Sequence, residues 1–385
     1  MKGRMLLPVL LWAPANLLAQ TASTLPEFSS IEHLQRLFRE NKPRLQVPDD
    51  PKLVPEWQKK FALRLNEVLG LPNMKPAPLN PRVTDVRKRE GYRLERVVFS
   101  SEAHVDVPGF LLIPDSVTAQ NPSPAVLCIH GGNPGAKDEL AGEITSPDIE
   151  EGLREFHDDY ALQLARRGII AFAIDLRNYG ERRFHAEPDT YGMNDRSVSS
   201  RVLANTALFL GRTYFGMNVF DSQRALDYLY TRPEVVKGAI GCAGFSMGGN
   251  IAAWLSVIDR RVKVTALEGN WASWNRLFAR DPKLATRIRV QMMPGFFLDL
   301  DYNLSVAAIA PTPMVVSYEY ETEGWQFKDR SEAVADTEPI RKAYAAFGAT
   351  DNLKLELVKG PHMWREEVIV PWFAGKLREL AGRRK

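Results

Sequence analysis

The chain has 385 residues, of which 45% are apolar and 25% are charged, and its formal net charge is +3. These values are typical of a soluble globular protein, and the length allows one large domain or two domains. The basic residues are scattered, apart from a short tail at 383–385, and no basic stripe with interleaved aromatic residues indicates a nucleic-acid partner. The sequence also has no Cys-x-x-Cys, His-Glu-x-x-His or acidic calcium-loop motif, so nothing in it supports a metal site.

The N-terminal segment has the pattern of a secretory signal peptide. Lys2 and Arg4 precede an apolar stretch over residues 5–18, and small residues follow it. This pattern predicts a signal peptide over residues 1–22 that is removed on export, and hence a secreted or periplasmic protein. The alternative is a retained membrane anchor, but two prolines interrupt the stretch and it is short for a bilayer span. We therefore expect no stable membrane span after cleavage.

Residues 23–85 are predicted to form a helical N-terminal extension that packs on the main domain. The first helix, over residues 29–41, can begin with a capping box of Ser29 and Glu32. A second helix, over residues 54–69, has a stronger apolar stripe, and a glycine and a proline-rich connector follow it. The stripe consists of Trp57, Phe61, Leu65, Val68 and Leu69.

Residues 86–385 are predicted to form an α/β domain. Two runs, over residues 92–101 and 105–115, are typical of an antiparallel strand pair. Beyond them, apolar runs of strand type alternate with amphipathic helical segments, which indicates a mostly parallel sheet covered by helices on both faces. The later predicted strands are "AVLCIH", "GIIAFAIDL", "GAIGCAGFS", "VKVTALEG", "TPMVVSYEY" and "LKLELVKG". The predicted helices cover 151–168, 219–233, 249–258, 338–348 and 368–380.

Two insertions interrupt this alternation, at about 178–218 and 271–311. Both follow the C-terminal ends of predicted strands, and ligands bind at that edge of open α/β sheets. The second insertion is rich in aromatic residues, with "WASWNRLF" and "MMPGFFLDLDYN". These segments can be interpreted equally well as a lid or wall of the substrate site or as insertions with a purely structural role.

The stretch "GFSMG" places Ser246 between glycines, where a predicted strand ends and a helix begins. Glycines allow close approach of neighbouring segments around a strained turn, which would expose the serine hydroxyl as a nucleophile. The same turn places the backbone N–H of Met247 at a helix start, where it can donate to a developing oxyanion. The alternative is a Gly-rich turn with a capping serine, which the strand–turn–helix context disfavours.

A catalytic serine needs a base, and on such a turn the base follows the last strand in chain order. Among the six histidines, only His362 lies in the loop after the last predicted strand. In "AVLCIHGGNPG" we predict Gly132 as the second oxyanion donor, and we interpret His130 as a structural anchor of that loop. The two cysteines, Cys128 and Cys242, lie in apolar runs, so buried free thiols are favoured over a disulfide.

This combination of motifs resembles the α/β-hydrolases, and within them the dienelactone hydrolase-like and acetyl xylan esterase-like branch. The resemblance spans about residues 85–375. It rests on "REGYRLERVVFSSEAHVDVPGFLLIPD", "AVLCIHGG", "LARRGIIAFAIDLRNYGER", "GRTYFGMNVFDSQRALDYLYTRPEV", "IGCAGFSMGG", "IAPTPMVV" and "GPHMW". It implies a triad of serine, acid and histidine, hydrolysis of carboxylic esters or lactones, and no cofactor. It leaves the substrate open, since one fold and triad serve many substrates.

The acid of the triad departs from the family pattern. The resemblance implies an aspartate in "S-G-x-x-D" after the strand that precedes His362, but this chain has "VVSYEYETEGWQF". In that register Glu321 occupies the acid position, and Glu323 lies two residues further on. Glu268, at the end of the preceding strand, is a third candidate, because some α/β-hydrolases resemble each other in taking the acid from there. A glutamate can orient the imidazole as an aspartate does.

Three functions are compatible with these features. The first is an exported serine esterase with a small-molecule or carbohydrate ester as substrate. The second is a serine peptidase resembling the prolyl oligopeptidase catalytic domain, although the extension of about 60 residues cannot form the propeller that such enzymes carry. The third is a catalytically weak binding protein on the same fold, which the altered acid loop suggests.

Overall fold

The computed structural model describes residues 29–133, 135–269, 272–280, 292–321 and 327–382. The predicted signal peptide and Glu323 lie outside the described residues. No helix in these ranges is long and apolar enough to cross a membrane.

The described strands form one sheet in the order β1-β2-β3-β5-β4-β6-β7-β8-β9. The first three strands and β5 are joined by antiparallel pairing, and from β5 to β9 the neighbours are parallel. The strands are β1 (Arg82–Arg89), β2 (Tyr92–Glu102), β3 (Val105–Pro114), β4 (Ser123–Ile129), β5 (Ile170–Ile174), β6 (Val235–Phe245), β7 (Val264–Glu268), β8 (Met314–Tyr320) and β9 (Leu353–Lys359). The predicted antiparallel pair is confirmed as β2 and β3. The mostly parallel sheet is confirmed as well.

Strand β1 was not expected from the sequence. Its residues, "RVTDVRKR", are largely polar and mostly exposed, so they lack the apolar signal of a buried strand. An edge strand needs a partner on one side only, and here the pairing with β2 supplies it.

Helices cover both faces of the sheet. They are α1 (Ser30–Glu40), α2 (Val54–Val68), α3 (Ala136–Leu140), α4 (Pro147–Phe156), α5 (Tyr160–Arg166), α6 (Arg196–Phe209), α7 (Tyr214–Thr231), α8 (Met247–Ile258), α9 (Trp274–Arg280), α10 (Phe296–Asp299), α11 (Tyr302–Ala307), α12 (Arg330–Ala346) and α13 (Glu366–Gly382). Short 3-10 turns occur at Pro51–Leu53, Leu71–Asn73, Gly180–Arg182 and Thr350–Asn352.

Central strand β4 shows why both faces must be covered. Leu127 and Ile129 belong to the apolar core that includes residues of α2, α7, α8 and α12. Val126 and Cys128 point the other way, into the core beneath α5 and α13. Side chains alternate along a strand, so a fully apolar strand has to be buried on both sides. Cys128 and Cys242 are both buried and free, as predicted.

The helical extension shares the core of the sheet domain. Trp57, Phe61 and Leu65 on α2 are at most 5% exposed and lie in the same core as α7 and α8. The side-chain amide of Gln58 donates to the backbone oxygen of Ala308 at 2.7 Å. At the start of α1, the hydroxyl of Ser29 accepts the N–H of Glu32 at 3.2 Å.

The helix predicted over residues 151–168 is two helices, α4 and α5. The chain breaks at His157, which has a left-handed backbone with φ of 54°. The break buries the carboxyl of Asp158, which is 1% exposed and accepts a hydrogen bond from Asn133. The apolar spacing of the segment carries no information on this tertiary contact, so a single helix was the wrong expectation.

Candidate active site

Ser246 stands on a strained turn between β6 and α8. Its backbone has φ of 55° and ψ of −121°, a conformation that costs a non-glycine residue on the order of 1–3 kcal/mol. The backbone N–H of Ser246 donates to the oxygen of Glu268 at 2.9 Å, which ties the turn to β7. Ser246 as a whole residue is half-buried, in a segment whose neighbours are buried.

The glycines around Ser246 are required by packing. A Cβ atom on Gly248 would lie 1.9 Å from the backbone oxygen of Ile129, and one on Gly244 would lie 2.3 Å from the oxygen of Gly248. Either contact would push α8 away from β4 and β6. The strand–turn–helix that the sequence predicted therefore depends on these two positions lacking side chains.

The glycine loop after β4 lies against the turn that carries Ser246. A Cβ on Gly131 would be 3.4 Å from the Cβ of Ser246, and Gly132 follows it in the chain. Met247, at the start of α8, is 5% exposed and its N–H belongs to the first turn, where helices leave donors without an intrahelical acceptor. The two predicted oxyanion donors thus belong to two segments that meet at Ser246.

His130 holds this loop in place. Its Nε2 accepts the N–H of Leu176 at 3.0 Å, so the proton of the neutral ring is on Nδ1, which donates to the oxygen of Gly131 at 2.7 Å. Burial lowers the pKa of His130 to about 3, so the ring stays neutral. This is the anchoring role that the sequence suggested.

His362 contacts a carboxylate through Nδ1. The atom lies 3.0 Å from Oε1 of Glu319, whose side chain is 1% exposed, while the imidazole itself is 31% exposed. The ring of His362 stacks on Phe245, the residue before Ser246, with 4.6 Å between the ring centroids. Gly269 makes room for the ring, because a Cβ there would lie 2.5 Å from Cε1 of His362.

The structure places the expected acid, Glu321, elsewhere. Its Oε2 lies 2.6 Å from Nζ of Lys359, and its side chain is 42% exposed. Strand β8 pairs with β9 as far as Tyr320, so Glu319 still lies within the strand with its side chain buried. The register taken from the family pattern placed the acid after β8, at Glu321. The carboxylate that contacts His362 belongs to Glu319, two residues earlier.

Glu268 and Arg365 complete the buried polar cluster. Nη1 of Arg365 lies 2.9 Å from Oε1 of Glu268 and 3.4 Å from Oε1 of Glu319. Burial and the neighbouring Glu319 raise the pKa of Glu268 well above its usual range, although Arg365 opposes this. Glu268, the third predicted acid, therefore contacts the arginine, and Glu319 lies between that arginine and His362.

Comparison with protein families identifies the family of the chain. The model of the Abhydrolase family matches residues 18–267, more than half of the sequence. The chain belongs to the Abhydrolase family. A curated relative, YtaP of Bacillus subtilis (strain 168), is 29% identical over 202 residues and is named provisionally as a hydrolase. That match covers 52% of this chain and 60% of YtaP, less than two thirds of the relative's length.

Solved structures show the same fold for this member of the Abhydrolase family. A Bacteroides fragilis NCTC 9343 protein, described provisionally as an acetyl xylan esterase, is 27% identical with a TM-score of 0.69, covering 87% of this chain and 84% of its own. A glucuronoyl esterase from Solibacter usitatus is 15% identical with a TM-score of 0.59, covering 89% and 97%, and this likeness concerns the fold alone. The predicted α/β-hydrolase fold, similar to the acetyl xylan esterase-like branch, is confirmed.

Two features of this Abhydrolase-family site escaped the sequence analysis. One is Arg365, whose only signal was its position three residues after His362. The other is a carboxyl pair behind the glycine loop, where Asn133 donates to Asp158 at 3.0 Å and to Glu139 at 3.4 Å. Burial raises the pKa of Glu139 to about 7, and burial and Glu139 raise that of Asp158. The pair supports the loop that carries Gly132.

Proposed function

We propose that this chain is a serine esterase in which Ser246, His362 and Glu319 form the catalytic triad. The observation that carries the proposal is the contact between the buried carboxyl of Glu319 and Nδ1 of His362, together with a serine held on a strained strand–turn–helix. With Nδ1 bound to the carboxylate, Nε2 is the ring atom that remains to serve the serine hydroxyl.

The reaction then follows from the roles of these atoms. Ser246 Oγ attacks the acyl carbon while Nε2 of His362 takes its proton, and Glu319 stabilises the resulting imidazolium. The N–H groups of Met247 and Gly132 donate to the oxyanion. The alcohol leaves with the proton from His362. Water then attacks the acyl-enzyme while His362 takes its proton, and Ser246 leaves with that proton as the acid is released.

The substrate class is proposed at the level of carboxylic esters, with carbohydrate esters favoured over lactones. The support is the likeness to the Bacteroides fragilis protein, whose description names an acetyl xylan esterase. The dienelactone hydrolase-like resemblance remains a prediction that lactone substrates would test. In the chain, the two insertions follow the C-terminal ends of β5 and β7, the sheet edge at which ligands bind in open α/β folds.

Covalent labelling tests the proposal directly. A fluorophosphonate probe should label the protein, and mass spectrometry of the digest should locate the label on Ser246. The unlabelled protein should hydrolyse 4-nitrophenyl acetate, and the labelled protein should have lost this activity. If the protein is labelled and hydrolyses a peptide anilide but no ester, it is a peptidase. Absence of labelling in correctly folded protein would indicate a binding protein on this fold.

We also propose that the protein is exported after removal of residues 1–22. The support is the basic start, the apolar stretch and the small residues that follow. Intact-mass measurement of protein expressed with its own N-terminus should give a mature chain that begins between residues 20 and 24. A protein that keeps Met1 in the cytoplasmic fraction would contradict export.

A further inference from the structure

Arg196, on the first insertion, lies against the glycine loop of the proposed oxyanion site. It is the first residue of α6, and its Nη2 donates to the backbone oxygen of Gly132 at 3.4 Å. Its guanidinium carbon lies 4.4 Å from the centroid of the Tyr179 ring, which in turn packs on His130. The ring thus fixes the guanidinium beside the loop that meets Ser246.

The charge of Arg196 is not neutralised by any carboxylate that the structure describes. Three other cations of this region are ion-paired: Lys137 with Asp175, and both Arg177 and Arg182 with Asp221. The nearest acidic residue in sequence, Asp195, uses its side chain to accept the N–H of Ser197 at 2.7 Å.

The contacts of Arg196 leave most of its donors unused. A guanidinium has five N–H donors in a planar fork, and with the part of the chain that the structure describes this one makes one long hydrogen bond and one ring contact. Stacking on an aromatic ring holds such a group without consuming its donors, and the planar fork matches a carboxylate in bidentate geometry. Arg196 is half-buried, so a ligand can reach it.

We propose that Arg196 is a specificity residue that binds a carboxylate of the ester substrate, carried near the scissile ester group. Acidic glycan esters and half-esters of dicarboxylic acids have this chemistry. The inference rests on the proposed function, because it takes Ser246 as the nucleophile beside which the carboxylate is held.

Paired esters that differ in one negative charge test the inference on either side of the scissile bond. On the acyl side, the mono-4-nitrophenyl ester of glutaric acid is compared with 4-nitrophenyl valerate. On the alcohol side, 4-acetoxybenzoate is compared with its methyl ester. In at least one pair, Arg196→Gln should lower kcat/KM for the anionic ester roughly tenfold, mainly because KM rises. The kcat/KM for the neutral ester of that pair should change by less than about twofold. Arg196→Lys should keep part of the preference, because it keeps the charge and loses the fork.

Arg201→Gln is the matched control, since Arg201 lies on the same helix, is exposed and carries the same charge. This variant should leave kcat/KM for all four esters unchanged. An equal loss on neutral and anionic esters in Arg196→Gln would assign the residue to the oxyanion or to loop structure and overturn the inference. No loss on either pair would overturn it as well.

A binding measurement separates this inference from the proposed function. In the Ser246→Ala background, calorimetry measures the Kd of the two anionic esters without turnover. Adding Arg196→Gln should weaken at least one Kd about tenfold, whether or not the wild type hydrolyses these esters. If neither anionic ester binds, or if both Kd values stay unchanged, the inference fails even where the esterase activity stands.

Discussion

The two sides of the candidate active site are specified in different ways. On the nucleophile side, steric requirements dominate: Gly244 and Gly248 have no room for a Cβ, and Ser246 lies between them on a strained backbone. On the acid side, two buried carboxylates, Glu268 and Glu319, are arranged around Arg365. Local sequence encodes the first arrangement, whereas pairing register and burial decide the second.

This difference explains why the motif located the strained turn at Ser246, whereas the family register missed the carboxylate that contacts His362. A tight turn needs particular residue types at adjacent positions, so "GFSMG" is visible in the sequence. A triad acid needs only a carboxylate that reaches the imidazole, and the five residues 319–323 contain three glutamates, Glu319, Glu321 and Glu323.

Removal of the nucleophile should have the largest effect. Ser246→Ala should lower kcat for 4-nitrophenyl acetate by several orders of magnitude, because members of a triad act as a unit. The melting temperature should change little, since the Ser246 side chain makes no cap hydrogen bond to α8 and alanine can keep the same backbone. Turnover close to that of the wild type would end the nucleophile assignment.

The acid side is tested by a matched pair of substitutions at the C-terminal end of β8. Glu319→Gln should lower kcat roughly 10²- to 10⁴-fold, because the amide no longer stabilises the imidazolium. Glu321→Gln should stay near wild-type activity, since it removes only an exposed ion pair with Lys359. The reverse ranking would restore the register that the sequence alone suggested.

The arginine between the two carboxylates should matter most for stability. Arg365→Met leaves buried carboxylates without their cation, which costs about 3–5 kcal/mol when one partner of a buried pair is lost. Denaturant unfolding measures this, with Arg378→Met, an exposed position on α13, as the control. Adding Glu268→Gln to Arg365→Met should recover part of the loss, because it removes one uncompensated acid. Two effects that simply add would show that Glu268 and Arg365 are not coupled.

The smallest expected effect is a pH dependence at the carboxyl pair behind the glycine loop. Burial raises the folded-state pKa of Glu139 to about 7, above the ordinary value of 4.5 that the unfolded chain has. The stability it contributes is therefore fully present below pH 4.5 and lost as the pH rises through about 7. Glu139→Gln stays neutral, so its melting temperature should gain a few degrees relative to the wild type across that window.

The control for this pH experiment is Glu155→Gln, at an exposed position on α4. Its melting curve should follow that of the wild type at every pH. A constant offset between Glu139→Gln and the wild type would show that Glu139 does not titrate in this range.

Much of the fold was predictable because its signals are local and repeated. The alternation of apolar runs and amphipathic segments predicted the mostly parallel sheet, and the β2–β3 pair followed from two adjacent strand patterns. The exceptions lacked such signals. Strand β1 is polar, and the break between α4 and α5 exists because Asp158 is drawn into a contact with Asn133.

Local sequence was enough to predict the turn at Ser246, the place of His362 after the last strand, and the glycine loop, since each depends on residue types at neighbouring positions. Local sequence could not predict which glutamate contacts the imidazole, because that depends on the pairing of β8 with β9 and on which side chain this pairing buries. Contacts between residues far apart in sequence, such as Arg365 with Glu268 and Arg196 with Gly132, leave no pattern in the chain. They form only when folding brings the segments that carry these residues together.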